Sequence, residues 1–212
     1  MKKAYFFDLD VTLADTDADI RGAWKAALKD LGLECPDFDS KFATGPSIDD
    51  VARTLFPGRC DEKLIACIRR AFGFRYDTDG FPSTKEYPGV LDRVRELKAS
   101  GARVFIATNK RYAGASAMCE KFGWNRIFEK LYASDMHKDD PAIGKLRKGA
   151  LLALALRENA LAAADCAMVG DTANDFAAAR ENGMESVAVA WGYGTPGELA
   201  GADRIVRTPA GI

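Results

Sequence analysis

The chain has 212 residues, 30 Lys and Arg against 31 Asp and Glu, a net charge of −1, and 48% hydrophobic and 29% charged residues. That length suits one medium domain, or a core with a smaller insert. The even charge argues against a nucleic-acid binder, whose phosphate contacts need clustered cations. No stretch approaches the ~18 uncharged apolar residues that span a membrane, and the opening run AYFF meets Asp8 before a signal-peptide core of about 7–15 residues forms. The five cysteines are scattered without a CxxC pair, so they are expected to be reduced, mostly buried thiols of a cytoplasmic protein.

In chain order, short apolar runs predict buried strands at 4–7, 103–107, 127–133, 166–169, 186–190 and 204–207. Helical patterns fall between them at 89–99, 111–122, 145–158, 174–182 and 196–200. Strand alternating with helix predicts right-handed βαβ units, hence an α/β fold with a mostly parallel sheet flanked by helices. Residues 15–82 break the rhythm. Ile20, Trp24, Ala27, Leu28 and Leu31 recur at helical spacing, SIDD opens a second helix with a capping pattern, and Leu64, Ile65, Ile68 and Phe72 mark a third. The expected organisation is a core of residues 1–14 and 83–212 carrying an all-helical insert of 15–82, with the turn-rich flanks 13–17 and 79–88 as hinges.

Reactive groups of an open parallel sheet gather beyond the carboxyl ends of its strands. Asp8 and Asp10 follow the first strand, Thr108-Asn109-Lys110 follow VFIA, and Gly170-Asp171-Thr172 follow AMV, with Asp175 one helical turn later. Asp8 and Asp10 point to one side while the chain stays extended. With Asp171 they would repel strongly unless a cation joined them, and oxygen-only ligands in a partly open site suit Mg²⁺. Each residue also has a plainer reading: the aspartates after the first strand can decorate a turn, Thr172-x-x-Asp175 can be a capping box, Thr108 can be a strand residue, and Lys145 and Lys148 can be exposed helix-start lysines. His137, the one histidine, lies in a polar run and reads as a surface-loop residue, so neither a zinc site nor a Ser-His-Asp triad is expected.

The set DLDVT, ATNK, a lysine opening an apolar helix, and GDTAND resembles, in order over nearly the whole chain, the haloacid dehalogenase superfamily of phosphohydrolases. It resembles especially its phosphoglycolate-phosphatase-like branch, which carries a helical C1-type cap after the first strand. The resemblance implies a cytoplasmic, Mg²⁺-dependent phosphatase of a small phosphorylated metabolite, monomeric or homodimeric. On that likeness Asp8 is the nucleophile that becomes an aspartyl phosphate, and Asp10 is the general acid/base whose carbonyl also binds the metal. Thr108 and Asn109 hold the phosphoryl group, and Lys148 is the family lysine, ahead of Lys145 and Lys138. Asp171 is a direct metal ligand and Asp175 a ligand or its partner. An aspartate at position 10 favours C–O–P hydrolysis or transfer over dehalogenation. The segment ATGPSIDD resembles the specificity loop of capped phosphatases, with Thr44, Gly45 and Pro46 as lining residues; it can equally be a turn before a capped helix.

Two other functions fit part of the pattern. A phosphomutase of the β-phosphoglucomutase type resembles the chain around RGAWKAAL, but such enzymes carry histidine where Ile20 stands and arginine where Ile48 stands. A phospho-accepting signalling module also combines acids, Thr and Lys on a parallel sheet, but leaves the helical insert unexplained. Val11 stands where most relatives of this kind carry glycine, so an unstrained turn requires a negative φ there.

Overall fold

The computed structural model describes residues 2–140 and 143–212. It runs through β1 (Ala4–Phe7), β2 (Ala14–Asp15), α1 (Asp17–Asp30), α2 (Phe38–Lys41), α3 (Ile48–Leu55) and α4 (Glu62–Thr78). It continues with β3 (Lys85–Glu86), α5 (Val90–Ala99), β4 (Arg103–Thr108), α6 (Tyr112–Lys121), β5 (Leu131–Ala133) and α7 (Lys148–Glu158). The last elements are β6 (Cys166–Gly170), α8 (Ala173–Asn182), β7 (Glu185–Val189), α9 (Pro196–Leu199) and β8 (Arg204–Val206).

All four residues of β1 are buried, as a strand covered on both faces requires. It pairs in parallel with β4 on one side and β6 on the other, placing Phe6 beside Phe105 and Met168. The six-stranded sheet has the order β5-β4-β1-β6-β7-β8, with every pairing parallel. Side chains alternate across it. Phe6, Phe105, Tyr132 and Met168 pack on Leu151, Leu152 and Ala155 of α7 and Ala178 and Ala179 of α8, while Phe7 faces the other way, edge-on to Phe128 at 5.8 Å.

The chain divides into two compact units, Met1–Asp15 with Lys85–Ile212, and Thr16–Thr84. The second unit is all helical among its described residues. Trp24 of α1 lies 6.0 Å from the Phe42 ring and 5.3 Å from Phe72, within a core that includes Leu28, Phe38, Val51, Leu55, Ile65 and Ile68. The capping signal in SIDD acts as read, with Ser47 Oγ accepting from Asp50 N–H at 3.2 Å to start α3; in the structure Asp61 caps α4 in the same way, accepting from Leu64 N–H at 2.8 Å.

Several expectations need correction. The run 127–133 is strand only at Leu131–Ala133, because Ile127 and Phe128 both bond back to the Trp124 carbonyl in a turn. The helix expected over 145–158 begins at Lys148, after an extended Arg147, so Lys145 is off the helix and shares no face with Lys148. The flanks assigned to hinges contain a two-stranded antiparallel ribbon, Ala14 opposite Glu86 and Asp15 opposite Lys85, too short for alternation to reveal. Of the cysteines only Cys119 and Cys166 are buried, Cys67 is exposed, and all five are free thiols. Among the described residues no helix is long and apolar enough to cross a membrane.

Candidate active site

Because β4, β1 and β6 are adjacent, their carboxyl ends deliver Thr108, Asp8 and Asp171 to one edge of the sheet. Asp8 N–H continues the ladder to the Val169 carbonyl at 2.9 Å, and Leu9 N–H donates to Asp8 Oδ1 at 2.8 Å. Lys148, the first residue of α7, arrives from a distant part of the chain. Its Nζ lies 3.0 Å from Asp8 Oδ1 and 2.5 Å from Asp175 Oδ1, and its side chain is only 4% exposed. Asp175 serves twice. It completes the capping box, accepting from Thr172 N–H at 3.1 Å and Thr172 O–H at 2.8 Å, while its other oxygen receives Lys148. Lysine, cap and nucleophile candidate are thus one rigid set.

Asp171 is fixed by a donor on each oxygen: the Thr12 hydroxyl reaches Oδ1 at 3.4 Å and Tyr193 N–H reaches Oδ2 at 3.2 Å. Ligand oxygens of Asp8, Asp171 and Asp175 all lie within 4.8 Å of one another, and all three residues are buried. Burial, reinforced by repulsion from Asp8 and Asp175, pushes the Asp171 carboxyl up to about 8. Burial likewise raises Asp8 to about 6, with Lys148 opposing and Asp175 and Asp10 assisting. Burial works against the charge of Lys148, yet Asp175 and Asp8 together hold its ammonium above the ordinary lysine range. A buried cluster with more carboxylates than its lysine can neutralise fits a hard cation. This donor set can therefore hold a metal ion.

Asp10 has another neighbour. Lys110 Nζ reaches both its oxygens, at 2.8 and 3.1 Å, with the lysine side chain 6% exposed. Lys110 closes the motif ATNK, which by itself assigns the lysine no role. Its spacing two residues beyond the strand end was the available signal. The Thr108 hydroxyl accepts from Lys110 N–H at 3.2 Å, and the Asn109 carbonyl accepts from Ser134 Oγ at 2.9 Å while its side chain lies at an exposed position. Lys145 and Lys138 are exposed. Thr44 and Gly45 belong to the helical unit, where the Thr44 hydroxyl donates to Asp17 at 2.5 Å. His137 is half-buried, and its Nε2 has no partner among the described residues. Pro141 and Ala142, in the same loop, lie outside the described residues.

Val11 departs from the unstrained expectation. Its φ is +61° and it is 3% exposed, a left-handed conformation that costs a β-branched residue about 1–2 kcal/mol. Val11→Ala removes buried methyl groups and keeps most of the strain, whereas Val11→Gly releases it. In urea unfolding the glycine variant is expected to be at least as stable as the alanine variant, although glycine ordinarily lies about 0.4–1 kcal/mol below alanine at compatible sites. An alanine variant more stable than the glycine one would show that this turn stores no strain.

The model of the haloacid dehalogenase-like hydrolase family matches residues 5–189. A probable phosphatase, IndB, of Dickeya dadantii is 30% identical over 96% of this chain and 87% of its own length. The phosphoglycolate phosphatase of Chromobacterium violaceum is 32% identical over 98% of this chain and 93% of its own. Among solved structures, a haloacid dehalogenase-like hydrolase, SP0104, of Streptococcus pneumoniae superposes with a TM-score of 0.84 at 26% identity, covering 99% of this chain and 96% of that one. On this evidence the chain belongs to the haloacid dehalogenase-like hydrolases and is an enzyme of the phosphoric monoester hydrolase class.

Proposed function

We propose that the protein is a Mg²⁺-dependent phosphatase of a small phosphorylated metabolite, similar in action to phosphoglycolate phosphatases, working through an aspartyl phosphate on Asp8. The observation that carries this reading is the buried Lys148 ammonium bonded to both Asp8 and Asp175 beside Asp171. Asp8, Asp171 and the Asp10 carbonyl would hold Mg²⁺, with Asp175 as a further ligand or their orienting partner. When bound, the ion supplies positive charge that offsets the repulsion between a carboxylate and a phosphate.

The chain's own residues divide the remaining work. Asp8 Oδ1 is engaged by Leu9 N–H and Lys148, which leaves Oδ2 to attack phosphorus. As that bond forms, the bond to the leaving oxygen breaks and Asp10 delivers the proton that oxygen needs. Asp10 then takes a proton from water, whose oxygen attacks the same phosphorus. The Asp8–phosphorus bond breaks, releasing phosphate and restoring the carboxylate. Lys148, the Thr108 hydroxyl and Asn109 stabilise the transferring group, and Lys110 orients Asp10.

A phosphate-release screen over a metabolite panel tests this reading, with activity expected in Mg²⁺ and lost on chelation. Turnover unaffected by exhaustive chelation would contradict it. A stability measurement adds a signed expectation. Asp8 and Asp171 titrate above the ordinary aspartate value in the metal-free fold, so the folded protein binds more protons than the unfolded chain. That metal-free fold loses stability as pH rises from about 4 to about 8. Mg²⁺ needs these carboxylates ionised, so the rise in Tm that it produces should be larger near about pH 8 than near about pH 5.5. An equal or smaller rise at the higher pH would mean that these aspartates do not hold the ion.

A further inference from the structure

We infer that Trp191-Gly192-Tyr193-Gly194, the loop leaving β7, is a clamp that positions Asp171 for the divalent cation and ties it to the turn after β1; this rests on the metal reading above. β7 lies beside β6, so the two strand ends are neighbours and the loop reaches Asp171 directly. A Cβ at Gly192 would overlap Asp171 Cβ and stand 2.8 Å from its Oδ2, and one at Gly194 would overlap the Asp171 carbonyl. Neither glycine has a positive φ. Space, rather than backbone angle, is what excludes a larger residue at both.

The loop binds through each of its two aromatic residues. Tyr193 N–H donates to Asp171 Oδ2 at 3.2 Å, and the Tyr193 hydroxyl donates to Asp15 Oδ1 at 3.2 Å. Trp191 Nε1–H donates to the Thr12 carbonyl at 3.2 Å, while the Thr12 hydroxyl reaches Asp171 Oδ1. Asp171, Thr12 and Asp15 are thereby held by one short segment, which fixes the plane of the Asp171 carboxylate before an ion arrives. Groups that orient a metal-bound carboxylate typically change metal affinity by about 10–100-fold when they are lost. Tyr193 and the two glycines are positioning residues in this sense, with no contact to the reacting atoms assigned to them.

The test is calorimetric titration of Mg²⁺ alone into the full chain, comparing the native protein with Gly192→Ala, Tyr193→Phe and the control Gly197→Ala. Gly197 follows in α9, and a Cβ there meets nothing within 4 Å. Mg²⁺ affinity should fall about tenfold or more in Gly192→Ala and about threefold in Tyr193→Phe, and stay native in Gly197→Ala. Excess Mg²⁺ should restore kcat in both weakened variants, which a general loss of structure would not allow. Affinities in Gly192→Ala and Tyr193→Phe within twofold of native overturn the inference, as does an equal loss in Gly197→Ala. If Gly192→Ala does not fold, Tyr193→Phe decides alone by the same twofold criterion. A native protein that binds no Mg²⁺ would instead remove the metal reading itself.

Discussion

Lys148→Met is expected to destabilise the metal-free protein by about 3–5 kcal/mol near neutral pH, the usual range when one partner of a buried ion pair is deleted. The side chain it removes is 4% exposed and is bonded to both Asp8 and Asp175, so methionine fills the space but leaves carboxylates facing one another. Part of the loss is recoverable, because Asp8, whose carboxyl burial already pushes up to about 6, can take up a proton instead of remaining charged. The variant should therefore be closer to native stability in acid than at neutral pH. Catalysis has no such recourse. The ammonium offsets charge on the transferring phosphoryl group, and its loss should reduce kcat/KM by about 10²–10³ or more, as when an oxyanion-stabilising donor is removed. Lys145→Met is the matched comparison. Lys145 is exposed, and its replacement should stay within about 0.5 kcal/mol of native stability with activity unchanged. Denaturant unfolding and steady-state kinetics on both variants separate the two lysines, and activity lost in the Lys145 variant alone would reverse the assignment.

The parts legible in the sequence were those where one local signal sufficed. The all-apolar run Ala4–Phe7 suited a buried strand, and Ser47 with Asp50 announced the start of α3 before any fold was known. Asp8 and Asp171 were found because each follows a strand end, and Asp175 because it lies one helical turn beyond Asp171; the fold brings all three together. What was missed depended on contacts between distant segments. Nothing in ATNK says that Lys110 will meet Asp10, one hundred residues earlier. Nor does the run after SVAVA say that Gly192 and Gly194 are small because Asp171 stands against them, although the rule applied to the other strand ends also applied there. The ribbon of β2 and β3 has two residues per strand, fewer than alternation needs to become visible. Val11 is the converse case. The sequence posed the question of its φ, and only the folded turn supplied the positive sign.

The central claim is that Asp8 is the nucleophile, and Asp8→Asn isolates it. Asparagine keeps the shape of the side chain, and its amide oxygen can still accept the Leu9 N–H that Asp8 Oδ1 accepts. It also removes one charge from a crowded buried cluster, so the metal-free variant should fold with a Tm close to native. An amide is a poor nucleophile toward phosphorus, and loss of a nucleophile that acts in concert with its neighbours lowers kcat by roughly 10³-fold or more. The decisive measurement is phosphate release in Mg²⁺ by native protein and by folded Asp8→Asn protein whose mass shows no deamidation back to aspartate. The account predicts turnover for the first and about a thousandfold loss or greater for the second; equal turnover in the two would contradict it.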